Sequence, residues 1–427
     1  MADYIPELYA LISILSEQKT YGEALFKVNQ EEQLSQAGKK KFSENVLGVL
    51  RHYFCLSFEC LDLLPYAKDS EEHILSLIPL FELRYHKDSN VDEIYACYHD
   101  AFMKERLMGD VKHNFKILLE ATKKPFKIPD EVKSSPYLYN SLVLEIPDFF
   151  LKRLSKDYSA QNALNIASYL HKKSYNFFAP ALTCNQEELL SNDAFENVSL
   201  DDGSILYSTN KPVSIKEVRN KGLYPLGYLE ALAYSKLPVP ALQPKILLTG
   251  LESGYQLLPL CLKTLDTFES KVDAVYQDAL SYRGAVDVMK KYQLKNAHII
   301  NTKLPLIKTY VKDHYYDVVV SFGRDCKLGL ARRMPSVLPC LREQDFLKSK
   351  KRQLEDLLEM STFVKEGGHL LFINHALDKE ESNEVISSFL SLRKDFTVVM
   401  KEMVFPNIMD CDAGFYAILK RKQNQND

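Results

Sequence analysis

The chain is 427 residues long, 46% hydrophobic and nearly neutral, with a formal net charge of −3, so it has apolar material for a core in each of two or three domains. No apolar run reaches the roughly 18 residues of a membrane span, the opening Met1-Ala2-Asp3-Tyr4-Ile5-Pro6 has neither segment of a secretory signal, and the eight cysteines lack CxxC pairs or zinc-spaced histidines. A cytoplasmic protein with mostly buried, reduced thiols and no metal site is predicted, and any affinity for a polyanion must come from local basic patches.

Residues 1–125 read as helices throughout. Phe42, Val46, Val49, Leu50 and Tyr53 share one helical face, as do Val91, Ile94, Tyr95, Tyr98 and Phe102. Ile5, Leu8, Tyr9 and Leu15 begin another stripe, and His73 to Tyr85 is almost continuously apolar, as the central helix of a bundle would be. The Pro-, Ser- and Lys-rich stretch from Lys123 to Pro136 marks a linker, and Leu237-Pro238-Val239-Pro240 marks a second boundary. A mixed α/β connector is expected over 137–240, with Pro147 opening a helix ahead of Phe149-Phe150-Leu151.

From Lys245 strands and helices alternate. Lys245–Thr249, Lys271–Tyr276, His298–Asn301, Tyr316–Ser321 and Gly368–Ile373 read as strands, and Ala279–Tyr292, Gln353–Lys365 and Glu380–Leu392 as helices. This pattern predicts a parallel sheet covered on both faces. Phe396–Val404 and Gly414–Lys420 have no helix between them, so the last strand should insert antiparallel.

In such a sheet ligands sit beyond the carboxyl ends of the strands. After the first strand, Thr249-Gly250-Leu251-Glu252-Ser253-Gly254 offers two glycines for a cofactor turn. The second strand ends on Tyr276, where a ribose is usually met by a carboxylate; Asp278 is the nearest acid and also a natural N-cap for the helix from Ala279. Tyr316–Ser321 opens into Phe322-Gly323-Arg324-Asp325-Cys326-Lys327-Leu328-Gly329, followed by Arg332-Arg333-Met334-Pro335, and the fifth strand leads into Asn374-His375. Cys326 and His375 are the candidate catalytic groups, a thiol and the side chain that titrates nearest neutrality, each with a plainer reading as a packed or structural residue. Glu380 and Glu381 suit the first turn of the predicted helix. Arg324, Lys327, Arg332 and Arg333 are candidate RNA ligands for phosphates and splayed bases, although surface ion pairing accounts for the same residues. Other basic clusters, such as Lys39–Lys41 and Lys350–Arg352, read as solvated helix faces.

Gly329, Arg332-Arg333 and Pro335 behind a buried strand resemble the RsmB/Sun-type RNA cytosine-C5 methyltransferases, in which strand, Asp-Ala-Pro-Cys, Gly, Arg-Arg and Pro follow in that order. Pro147 to Leu154 resembles the family's His-Pro-x-x-Leu-Leu-Lys-Arg-Leu segment, and Asn45 to Arg51 resembles the Gly-Val-Leu-Arg helix of its NusB-like domain. The resemblance implies an α/β protein with an all-α N-terminal domain: a NusB-like bundle over 1–125, the connector over 137–240, and a class I, Rossmann-like methyltransferase domain dependent on S-adenosylmethionine (SAM) over 241–427.

In the register set by Arg332-Arg333 the motif's Asp falls on Phe322, its Pro on Arg324 and its Cys on Asp325. The family's nucleophilic Cys, after the fifth strand, falls on His375. In the glycine turn the second Gly of Asp-x-x-Ala-Ala-Pro-Gly-Gly-Lys is Gly254, while Glu252, Ser253 and Tyr255 replace Pro, Gly and Lys. Cytosine C5 becomes nucleophilic only after a thiolate adds to C6, so a chain with a thiol at neither position is expected to be catalytically silent. The expected function is binding of RNA, ribosomal by the resemblance. SAM is the cofactor implied, through Gly250, Gly254, Tyr276 and Asp278, with Tyr276 arguing against its retention. An active SAM-dependent methyltransferase with altered residues, and a protein-interaction module acting through the bundle, are the alternatives.

Overall fold

A computed structural model describes residues 4–423 apart from 33, 87, 186–188 and 190–194. The chain forms two compact units, Met1–His171 with Ala331–Glu343, and Lys172–Leu330 with Gln344–Asp427.

The first unit is helical: α1 Ile5–Leu15, α2 Tyr21–Glu32, α3 Gln36–Arg51, α4 Tyr53–Leu63, α5 Glu71–Tyr85, α6 Val91–Lys104 and α7 Val111–Thr122. Side chains of Ser35, Ser70, Asn90 and Asp110 accept amides of the first turns of α3, α5, α6 and α7, satisfying donors that a helix start leaves open. α5 is the central helix. It is buried from His73 to Glu82 and packs against α1, α3, α4, α6 and α7. Gly48 permits that packing, because a Cβ there would stand 2.0 Å from the Phe81 ring. The buried carboxylate of Glu82 accepts from the Tyr4 hydroxyl (2.9 Å) and Asn45 Nδ2 (2.7 Å), which offsets its desolvation. Two stripe residues face outward, Tyr9, whose hydroxyl donates to Glu105, and Val91.

The unit continues through α8 Asp130–Lys133, α9 Pro136–Leu144, α10 Asp148–Tyr158 and α11 Ala160–Tyr169, so residues 137–171 are helical and pack with the bundle. Its last piece comes from far along the chain. Residues 331–343 carry a short helix, Val337–Cys340, and Cys340 packs against the helical core with its thiol donating to Ile14 O (3.2 Å).

The second unit opens with an antiparallel sheet of β1 Asn176–Pro180, β2 Glu196–Ser199, β3 Ile205–Thr209 and β4 Leu223–Pro225, in the order β2-β3-β1-β4. Seven further strands follow: β5 Lys245–Thr249, β6 Lys271–Tyr276, β7 Ala297–Asn301, β8 Tyr316–Phe322, β9 Val364–Asn374, β10 Phe396–Val404 and β11 Gly414–Arg421. They lie in the order β10-β11-β9-β8-β5-β6-β7, parallel from β9 to β7, with β11 antiparallel to both β9 and β10. All seven residues of β8 are buried, as a strand covered on both faces requires. Ala285 and Val288 of helix Ala279–Lys291 join the core on one face; Leu357 and Met360 of helix Glu343–Ser361, with Val385 and Phe389 of helix Asn383–Leu392, build the other.

Three predicted elements shift their limits. The helix expected over 353–365 spans 343–361, β9 begins four residues before Gly368, and the helix expected from Glu380 begins at Asn383. At the sheet's outer edge, β10 slips register between Val398 and Met400, and Val398, Val399 and Met400 are exposed.

Candidate functional site

Both glycines of the β5 turn serve close approaches within the chain. Gly250 has φ of 74°, and a Cβ on it would lie 2.3 Å from Phe322 O; one on Gly254 would lie 2.7 Å from Ala285 Cα. Two of the three amides between them are occupied, because Glu252 N and Ser253 N both donate to Gln256 Oε1 (2.8 and 3.0 Å). Tyr276 is fully buried and its hydroxyl donates to Ser253 O (3.3 Å). Asp278 accepts from Ser281 N (2.8 Å) as the N-cap of the next helix, and the Ser281 hydroxyl donates to Glu252 O (3.1 Å). The turn is thus laced by Gln256, Tyr276 and Ser281, and Asp278, the acid that follows β6, caps a helix.

The ends of β8 and β9 meet through Gly329. Its amide donates to His375 O (2.7 Å), its carbonyl accepts from Ala413 N (3.1 Å), and a Cβ would lie 2.0 Å from Ala413 O. Three chain segments pass at a separation that only glycine allows.

Around this crossing lies a set of ionisable groups. His375 Nδ1 donates to Ala413 O (3.0 Å) and Nε2 stands 3.5 Å from Glu230 Oε1. Burial works against the imidazolium, but the hydrogen bond and charge of Glu230, and then Asp325, outweigh it and raise His375 to about 9. Asp325 accepts from Lys327 N (2.9 Å), which supports the left-handed backbone of Lys327 (φ 56°), while its Oδ2 is shut from solvent without a hydrogen-bond partner. Burial raises its proton affinity against the pull of His375. Glu381, ahead of the helix and not in its first turn, is fully buried and accepts from Cys326 N (3.0 Å). Burial, then Asp378 and Asp325, hold it well above the usual carboxylate range. The Cys326 thiol is driven far above the ordinary thiol range, by burial first and then by Glu381, so it stays protonated and a poor nucleophile.

Of the predicted RNA ligands, Arg324 grips Asp356 through Nε (2.8 Å) and Nη2 (2.6 Å), and Lys327 Nζ holds Glu252 (2.6 Å). Arg332 is buried and Arg333 exposed, both within the helical unit. Four cysteines are buried and four, including Cys326, keep some surface, so burial holds for half of them. Among the described residues no group of three or more His, Cys, Asp or Glu is placed to hold a metal ion, and no helix is long and apolar enough to cross a membrane.

Glu230 and Gln256 went unnoticed in the sequence. Gln256 left a signal, the Ser253-x-x-Gln256 spacing of a capping box, which the turn forms. Glu230 left none, since only the tertiary fold brings helix Tyr228–Lys236 to the end of β9.

A seven-stranded sheet in this order, with its one antiparallel strand inserted beside the fifth, defines a class I methyltransferase fold. Residues 263–427 match the family model of the 16S rRNA methyltransferase RsmB/F. A 94-residue stretch is 28% identical to ribosomal RNA small subunit methyltransferase B of Proteus mirabilis; it covers 22% of this chain and only about a fifth, 22%, of that relative's length. The crystal structure of PH0851 resembles the chain over 97% of its length and 98% of its own, with a TM-score of 0.74 and 16% identity. NSun6 from Pyrococcus horikoshii, solved with SFG, matches 65% of this chain and 99% of its own at a TM-score of 0.55 and 11% identity. At these identities the structures speak for the fold.

Proposed function

We propose that this protein binds RNA, ribosomal by family, and carries out no cytosine-C5 methylation. The observation that supports this reading best is the Glu230, His375 and Asp325 network at the ends of β8 and β9. By the resemblance, Asp325 stands at the Cys of the Asp-Ala-Pro-Cys motif and His375 at the nucleophile position after the fifth strand, the two places where that family carries thiols. An imidazole held protonated by a buried carboxylate has no lone pair to offer C6, and the neighbouring Cys326 is held as a thiol.

The residues of the β5 turn also fit SAM poorly. When bound, SAM supplies an electrophilic methyl group; here Gln256 takes the Glu252 and Ser253 amides, and Tyr276, buried, spends its hydroxyl on Ser253 O. A phenol already bonded to backbone cannot chelate a ribose diol as a carboxylate does.

Incubation of the purified chain with methyl-labelled SAM and unmodified ribosomal RNA tests the proposal. No label in 5-methylcytosine is expected, and label there overturns it. Calorimetric titration is expected to give no SAM binding tighter than about 1 mM.

A further inference from the structure

Arg324 and Lys327 are already paired with carboxylates, but another set of cations in the same unit is not. Two clefts of about 540 and 550 Å³ share Arg219 and Lys291 in their walls. Arg219 comes from helix Ile215–Asn220, and Lys291 ends helix Ala279–Lys291. One cleft adds Arg283 and Tyr255, the other Lys295 and Tyr292. Arg219 donates to the Tyr255 hydroxyl from Nε (3.1 Å) and Nη2 (2.6 Å), and Lys291 Nζ lies 5.1 Å from the centre of the Tyr292 ring.

None of these four cations forms an ion pair among the described residues. The acids in the walls are Asp266 in one cleft and Asp287 and Glu252 in the other, and Glu252 is taken by Lys327. Partial burial and then the charge of Arg219 lower the proton affinity of Lys291. Two like charges facing each other without a counter-ion make a position that an anion stabilises. A single phosphate group would need only one cleft. Two clefts that meet at a cation pair, each with its own tyrosine, suit a polymer with a phosphate at the junction and a base on either side.

We infer that Arg219, Lys291 and Arg283, with Tyr255 and Tyr292, form a groove for single-stranded RNA, the phosphodiester lying between Arg219 and Lys291 and flanking bases against the two tyrosines. This groove rests on the RNA-binding reading above and names the surface that performs it.

Fluorescence anisotropy of the full chain with a labelled oligoribonucleotide of about twelve nucleotides tests the groove. R219E/K291E is expected to weaken binding roughly tenfold and to lower the salt slope by about 1.4, while K401E on the edge strand β10 leaves both unchanged. Tyr255→Ala is expected to lose affinity that Tyr255→Phe keeps. Should the double reversal fail to fold, R219Q/K291Q at the same exposed positions carries the same test. Unchanged affinity of the variants beside a binding wild type overturns the groove and leaves the RNA-binding reading standing. A wild type that binds no RNA overturns both. Adenosine monophosphate bound as tightly as the oligomer overturns the strand in favour of a single nucleotide.

Discussion

His375 is the residue on which the strand ends turn. Replacing it by asparagine leaves the Glu230 and Asp325 carboxyls facing each other across a half-buried gap, and a loss of about 3 kcal/mol is expected in urea denaturation. The wild type should also lose stability as pH rises. Its imidazole holds a proton to about 9 in the folded chain and to about 6.5 when unfolded. The contribution is therefore complete below about 6.5 and gone above about 9. Melting temperatures recorded between those limits should fall for the wild type, and H375N should flatten the slope in that window. At Cys326, thiol labelling of the native chain near pH 8 is expected to run at least tenfold slower, roughly, than in denaturant, because burial and Glu381 disfavour the thiolate.

At the level of the element, glycine separates packing from propensity. Gly254→Ala drives a Cβ into the backbone of helix Ala279–Lys291, 2.7 Å from Ala285 Cα and 2.9 Å from Gly284 O, and should cost about 2 kcal/mol. Gly284→Ala, in that same helix, meets nothing within 4 Å and should gain about 1 kcal/mol. Both are read from thermal or urea unfolding. The strands were legible because β5, β6 and β8 are short and their middles are apolar, Ile246-Leu247-Leu248, Ala274-Val275 and Val318-Val319-Val320, as suits a parallel strand covered on both faces. Their limits agree with the sequence reading to within a residue. The helix from Glu343 was shortened in that reading because its first turns, Gln344-Asp345-Phe346-Leu347-Lys348, hold few apolar residues; Phe346 alone of these is fully buried. The candidate site was legible only as positions. Its partners, Glu230 to His375 and Glu381 to Cys326, join residues 145 and 55 apart in sequence, and no local pattern records a contact of that kind.

Across the whole molecule, the chain leaves the sheet unit at Leu330, contributes residues 331–343 to the helical unit, and returns at Gln344. Contiguity in sequence, the first assumption of any division from composition, fails there. The Lys123–Pro136 stretch likewise reads as a linker by content, yet carries α8 and the start of α9 within the helical unit. Cys340→Asp puts a charge against the bundle core beside Ile14 O and is expected to lower the stability of the helical unit by about 2 kcal/mol, measured by urea unfolding followed through circular dichroism.

The outermost strand bears on how the protein behaves in the tube. Among the described residues, one row of amides and carbonyls along β10 lacks a sheet neighbour, and Val398, Val399 and Met400 turn grease outward beside it. Such a border recruits any other extended polypeptide, and the kink at Val399 is what spoils the template for continuous stacking. Straightening that kink by deleting Val399 should turn concentrated stocks cloudy, with light scattering rising at concentrations where the natural sequence stays clear.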